Sequence, residues 1–422
     1  MIFKSVASQP GFIEFVILVA CIISLAALAT DTMLPALLDM ALDLHFDDLN
    51  DRHFIISILF VGMGLGQLVF GPLSDGVGRK PAIIGGILIF ACGSAVAYFA
   101  DSMADMMIGR FLQGLGVAGP RIVSVAMVRD RFEGRQMASV MSFVMTVFIL
   151  VPVFAPVLGQ LITNIGHWRL IFALFVVMSL LVMGWFAIRQ PETLARQNRI
   201  HFSLCQMAQD IRFILRIPAV CGYTLTMGFL FGAFLGYLSS AQQIFQVQYQ
   251  LGQLFAPYFG VLAASLGVAA LINGKIVLRF GMRRLSLLAM TIITVISMPF
   301  LGVVIVYAGH PPLPFLMAYL LVVFFFFGFL FGNLNALAME PLGQIAGLGS
   351  ALTGSVSTLI SVLLGAVIAD AYDGTVAPLV SGIAILGIAC LITMHRTERI
   401  IRQSGRVKSK TSPRLMEKGQ NP

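Results

Sequence analysis

Residues 54–100, FIISILFVGMGLGQLVFGPLSDGVGRKPAIIGGILIFACGSAVAYFA, hold two apolar runs around one polar decapeptide. Each run has about 20 residues, the length a helix needs to cross a bilayer. In hydrocarbon every backbone donor and acceptor must be satisfied within a helix or a closed barrel, and runs this long and uniformly apolar suit helices. Between them lies Gly71-Pro72-Leu73-Ser74-Asp75-Gly76-Val77-Gly78-Arg79-Lys80. Its glycines permit a tight turn, Asp75 can cap a neighbouring helix N-terminus, and Arg79 with Lys80 holds the loop on the cytoplasmic side.

Working outward, similar runs recur from end to end, at 12–38, 54–73, 82–100, 105–126, 137–162, 168–188, 218–238, 255–276, 285–307, 314–337, 349–370 and 375–395. They predict twelve spans, numbered one to twelve below, in an all-α polytopic membrane protein. The composition agrees: 58% of the 422 residues are hydrophobic and 11% charged, against about a quarter charged in a soluble domain. The first run is too long for a secretory signal, and Asp31 and Pro35 interrupt the place where a cleavage site would lie. Cys21, Cys92, Cys205, Cys221 and Cys390 show no paired or metal-ligand spacing, and His45, His53, His167 and His310 fall in predicted loops, so no disulfide or metal site is expected.

An even span count puts both termini on one side. Of the 27 Lys and Arg residues, all but Arg52, Arg169, Arg110 and Arg121 fall on that side, which the positive-inside rule makes cytoplasmic. This bias accounts for the net charge of +8, so nucleic-acid binding is not invoked. The longest basic loop divides the spans six and six, giving bundles at 1–188 and 218–395, a linker at 189–217 and a basic tail at 396–422, expected to be disordered beyond Thr397. Gly71, Gly78 and Lys80 match Gly274, Gly281 and Arg283 at a constant offset of 203 residues, so the halves are repeats. Paired halves of this kind mark transporters whose substrate site lies at the repeat interface.

The 71–80 loop resembles the loop signature of the major facilitator superfamily, which implies its fold of twelve helices in two six-helix halves. Arg110-Phe111-Leu112-Gln113-Gly114, opening span four, resembles that superfamily's second signature, associated with proton handling. A buried arginine costs roughly 2.5 to 3.5 kcal/mol on insertion scales, so Arg110 should face a wet cavity or an acid, unless it snorkels to the interface. Gln113 shares its face, and Arg121, eleven residues on, returns to within about 20° of it some 16 Å deeper. Ala29-Thr30-Asp31-Thr32-Met33-Leu34-Pro35 is similar to the helix-one signature of twelve-span drug:proton antiporters, especially the bicyclomycin and chloramphenicol resistance (Bcr/CflA) group. Asp31 is expected about 10 Å from the outer end of its helix, level with Arg110, or else to end a short first helix.

Val151 to Gln160 carries Pro152, Pro156 and Gly159 and resembles the antiporter signature, with Ala155 and Gln160 where the family has glycines. A packing kink is the plainer alternative. Ala338-Met339-Glu340-Pro341 and Ala346-Gly347-Leu348-Gly349-Ser350 also look like the resistance group. The run Phe324 to Phe327, with Asn333 and Asn335, can wall a substrate pocket or simply pack. No phosphate-cradling loop or magnesium-binding acid cluster is present, so an enzyme is not expected.

These resemblances imply a proton-coupled exporter of small, largely apolar molecules, drugs or related metabolites. Proton-coupled nutrient uptake and a non-transporting sensor or scaffold are the alternatives. The expected partners are a small-molecule substrate, protons and membrane lipid, with no cofactor beyond the proton gradient and a monomeric state in the bacterial inner membrane. By the same resemblance, Asp75 should cap span eleven while Arg79 pairs with Asp130, both closing the cytoplasmic side of the outward-facing state.

Overall fold

The computed structural model describes residues 10–199, 204–342 and 346–411; Lys4, the linker piece 200–203 and the end of the tail from 412 lie outside the described residues. Twelve helices among them are long and apolar enough to cross a membrane, each on one of the expected runs. Span one is Phe12–Asp43, span two Leu49–Val77, span three Arg79–Tyr98 and span four Met103–Arg131. Span five follows at Gly134–Ile165, span six at Arg169–Arg189 and span seven at Pro218–Gln242, continued by a π-helical turn at Gln243–Gln248. Spans eight to twelve are Phe255–Phe280, Met282–Val306, Leu313–Met339, Ala346–Asp370 and Ala377–Thr411. Span one starts and span twelve ends on one face, here the terminal face; the other is the opposite face.

Within the first half, spans three and four pack together, as do two and four, three and six, and one and five. In the second half nine packs on ten, eight on ten, nine on twelve and seven on eleven, each pairing recurring six spans later. The halves meet along two matching seams, span two on span eleven and span five on span eight. The repeat seen in the sequence has a backbone cause. Gly78 and Gly281 sit at the junctions of spans two and three and of eight and nine with φ of +114° and +78°, a region that L side chains rarely adopt.

Two expectations need correction. Span one is not one continuous helix: it is helical over Phe12–Asp31, passes through a 3-10 turn at Leu34–Ala36 with Pro35 inside it, and resumes at Leu37–Asp43. Pro35 has no N–H to donate and disfavours a helical residue before it, so the helix breaks just after Asp31. Nor does disorder begin just beyond Thr397, because span twelve runs on as helix to Thr411. Glu398 anchors this extension by accepting from the Tyr223 hydroxyl of span seven and pairing with Arg283 Nε of span nine at 3.4 Å.

Candidate functional site: a broken helix, a buried arginine and an aromatic wall

The break in span one leaves carbonyls of its last helical turn without intrahelical donors. Arg110 meets one of them. Its Nη2 donates to the Ala29 carbonyl at 3.0 Å, its Nε to the Ile55 carbonyl of span two at 3.0 Å, and its Nη1 to Gln113 Oε1 at 2.5 Å. Gln113 Nε2 donates in turn to Ser94 Oγ of span three at 2.7 Å. One side chain therefore ties spans one, two and four, and its neighbour adds span three. Arg110 is 0% exposed, so it does not snorkel. Among the described residues it has no carboxylate partner; backbone carbonyl dipoles hold its charge instead.

Asp31 lies on the same break, 5% exposed, and its carboxyl has no hydrogen-bond or ion-pair partner among the described residues. Arg110 binds the carbonyl two residues before it and not its side chain. Arg121 is half-buried farther along span four, with its Nη1 3.4 Å from Met63 Sδ of span two. From the other side, span five closes on the break at Gly159, where an added Cβ would overlap the Thr32 carbonyl. Only a glycine lets the two backbones approach this far. Pro152 and Pro156 lie within the same uninterrupted helix, and Val153 faces Gly260 of span eight across the seam.

The second half meets this region with rings. Tyr237 of span seven packs edge-on to Phe324 at 4.6 Å between centroids and stacks on Phe259 at 5.8 Å. Phe234 touches Phe231, Phe324, Phe327 and Phe331, and Phe231 reaches across to Phe60 of span two at 5.6 Å. The run at 324–327 is divided: Phe324 and Phe327 are buried in this cluster, whereas Phe325 and Phe326 pack with Phe329 on another side. Asn333 is spent on a reciprocal pair with Asn273 of span eight at 2.9 and 3.0 Å, while Asn335 is exposed.

On the opposite face the halves are hydrogen-bonded to each other. Asn50 Nδ2 donates to the Asp370 carbonyl at 2.9 Å, and Gln243 Nε2 donates to Asn50 Oδ1 at 2.6 Å. On the terminal face the ion pairs of Arg79 stay within a half. Arg79 holds Asp75 at 2.5 Å and Asp130 at 3.0 Å, all in the first half. The expected Arg79–Asp130 pair is therefore present while the opposite face is latched, and it fastens spans two to four rather than the two halves. Asp75 is engaged by Arg79; residues 343–345, before span eleven, lie outside the described residues.

Sequence reasoning missed Glu192. Its carboxylate accepts the backbone N–H groups of Arg79 and Lys80 at 2.9 and 3.1 Å, capping span three, while Thr193 Oγ1 donates to Asp130 at 3.2 Å. Lys80 Nζ donates to the Ala187 carbonyl. The available signal was a Pro-Glu-Thr immediately after span six, where an acid has a short reach to a helix start. Glu398, inside the extended span twelve, meets span nine from the corresponding side of the second half, through Arg283. Tyr237 and Gly260 were also missed.

Two like six-helix halves of apolar spans, meeting along two seams, make the fold of a membrane transporter. The chain belongs to the Major Facilitator Superfamily, which it matches over residues 19–366. It is 28% identical over 402 residues to the bicyclomycin resistance protein homolog of Haemophilus influenzae, covering 94% of this chain and 99% of that one. Over 193 residues it is 30% identical to multidrug resistance protein MdtM of Salmonella typhimurium, 46% of each chain. The fold is shared with a crystal structure of a D-xylose-proton symporter, with a TM-score of 0.71 at 15% identity over 91% of this chain and 97% of that one. These relatives and the twelve spans make it a multi-pass protein of the bacterial inner membrane, a transporter and not an enzyme.

Proposed function

We propose that this protein exports small, largely apolar molecules, drugs or related metabolites, from the cytoplasm in exchange for protons. The observation that carries the reading is Asp31: a buried carboxyl without a counter-ion, at a helix break between the halves and facing an aromatic wall. A group in that position carries a proton at little cost, whereas its charge is costly unless a ligand or water reaches it. The resistance-protein relatives support efflux of drug-like molecules.

In this scheme the terminal face is cytoplasmic, as the basic-residue bias requires, and the bundles at 1–188 and 218–395 rock about their seams as a monomer. The structure's latch at Asn50 then closes the outside. Asp31 exchanges the proton and competes with substrate for one site, while Arg110 and Gln113 hold the broken helix and Arg121 tunes the field along the path. The 71–80 loop with Gly71, Asp75, Gly78, Arg79, Lys80 and Asp130 keeps spans two to four rigid during rocking. Pro152, Pro156 and Gly159 seat span five against the break. Cells overproducing the protein should accumulate less of a fluorescent dye, and an uncoupler or Asp31→Asn should restore accumulation. Export that continues at full rate with the gradient collapsed would refute proton coupling.

A further inference from the structure

Tyr237 and Asp31 are orphans facing each other across the halves. Tyr237 is 0% exposed and its hydroxyl has no hydrogen-bond partner. Span seven rests on the 3-10 turn that follows Asp31, which brings Tyr237 within electrostatic range of the Asp31 carboxyl. The ring cannot turn its hydroxyl elsewhere freely, because Phe324, Phe259 and Phe245 pack around it from spans ten and eight and from the π-helical turn. A buried hydroxyl without a partner is destabilising, and so is an unmet acceptor, so one bond between them removes two penalties. Six residues past Tyr237, about 9 Å along the helix, Gln243 holds the Asn50 latch.

We propose that Tyr237 is the second half's positioning residue for the proton site: its hydroxyl donates a hydrogen bond to the Asp31 carboxylate of the first half, and so links the charge on Asp31 to span seven and the latch at its end. This rests on Asp31 being the proton carrier. Of the spans packed on span one, span four brings Arg110 and Arg121, with Asp105 at one end and Arg129, Asp130 and Arg131 at the other, span five no titratable group beyond Arg135 at its start, and span six only Arg169 and Arg189 at its two ends. Arg110 is turned to the Ala29 carbonyl, so among the described titratable groups Tyr237 is the unpartnered donor that the second half offers Asp31; the Thr32 hydroxyl, also unpartnered, belongs to span one itself. A donor to the charged form favours that form; its loss must make Asp31 hold its proton more tightly and move the titration to higher pH.

The test is a pH titration of the purified full-length protein by infrared difference spectroscopy, in wild type, Asp31→Asn and Tyr237→Phe. The carboxyl band that Asp31→Asn removes reports Asp31. Its midpoint should rise by about one pH unit in Tyr237→Phe, a tenfold tighter proton. An unchanged midpoint overturns the role of Tyr237 alone, whereas no titrating band lost in Asp31→Asn overturns the proton reading beneath it. Wild-type protein with isotope-labelled tyrosine needs no Tyr237 variant: a phenol C–O band should shift at the Asp31 midpoint and stay still in Asp31→Asn. A tyrosine spectrum indifferent to that midpoint also overturns the proposal.

Discussion

The two halves share one plan and fill it with opposite chemistry. In the first, the middle of the bundle is polar: Arg110, Gln113 and Ser94 form a chain of hydrogen bonds beside Asp31. In the second, the same depth is aromatic, with Phe231, Phe234, Tyr237, Phe324, Phe327 and Phe331 packed ring to ring. One half carries a hydrogen-bonded polar chain and the other a packed cluster of rings. The terminal-face arginines differ in the same sense. Arg79 is fixed between Asp75 and Asp130 with its side chain 9% exposed, whereas Arg283 reaches Glu340 at 44% exposure.

The largest effect expected from this contrast is at Arg110. Arg110→Ala leaves the Ala29 and Ile55 carbonyls and Gln113 without their donor, and should lower stability by about 3 kcal/mol and abolish export; a melting curve and dye efflux from the same preparation check it. Wild-type melting would mean that the helix break holds itself. Next comes the aromatic wall. Phe231→Ala should weaken substrate binding roughly tenfold, the worth of one well-buried apolar side chain, with proton release per bound substrate unchanged. Phe325→Ala, outside the cluster, should change binding less than twofold. Equal losses from both would erase the distinction between wall and packing. The smallest effect separates the terminal-face networks: Arg79→Ala should cost about 2 kcal/mol in thermal stability and Arg283→Ala at most about 1 kcal/mol, because solvent screens the latter pair.

The twelve spans were legible because lipid imposes a length and a composition on each crossing, and the repeat was legible because Gly78 and Gly281 both occupy a backbone region closed to other residues. The Arg79–Asp130 pair could be expected from the resemblance of the loop. The site itself was only half readable. Asp31 and Arg110 could be placed at one depth by counting rise per residue, but counting assumes a continuous helix, and Pro35 breaks it. Arg110 therefore bonds a freed carbonyl where an acid had been the natural guess. Glu192, Tyr237 and the Asn273–Asn333 pair depend on contacts between residues 60 to 113 positions apart in sequence, which no local pattern encodes. The helical extension to Thr411 hangs on Glu398, whose partners Tyr223 and Arg283 are likewise remote.

The claim that Asp31 is where proton and substrate exchange is tested most directly by counting protons released when substrate is added to purified protein near neutral pH. Coupling between two loads for one site is reciprocal, so wild-type protein should release protons in proportion to substrate bound, and Asp31→Asn should bind substrate with none released. Undiminished release from Asp31→Asn would place the proton elsewhere and contradict the account.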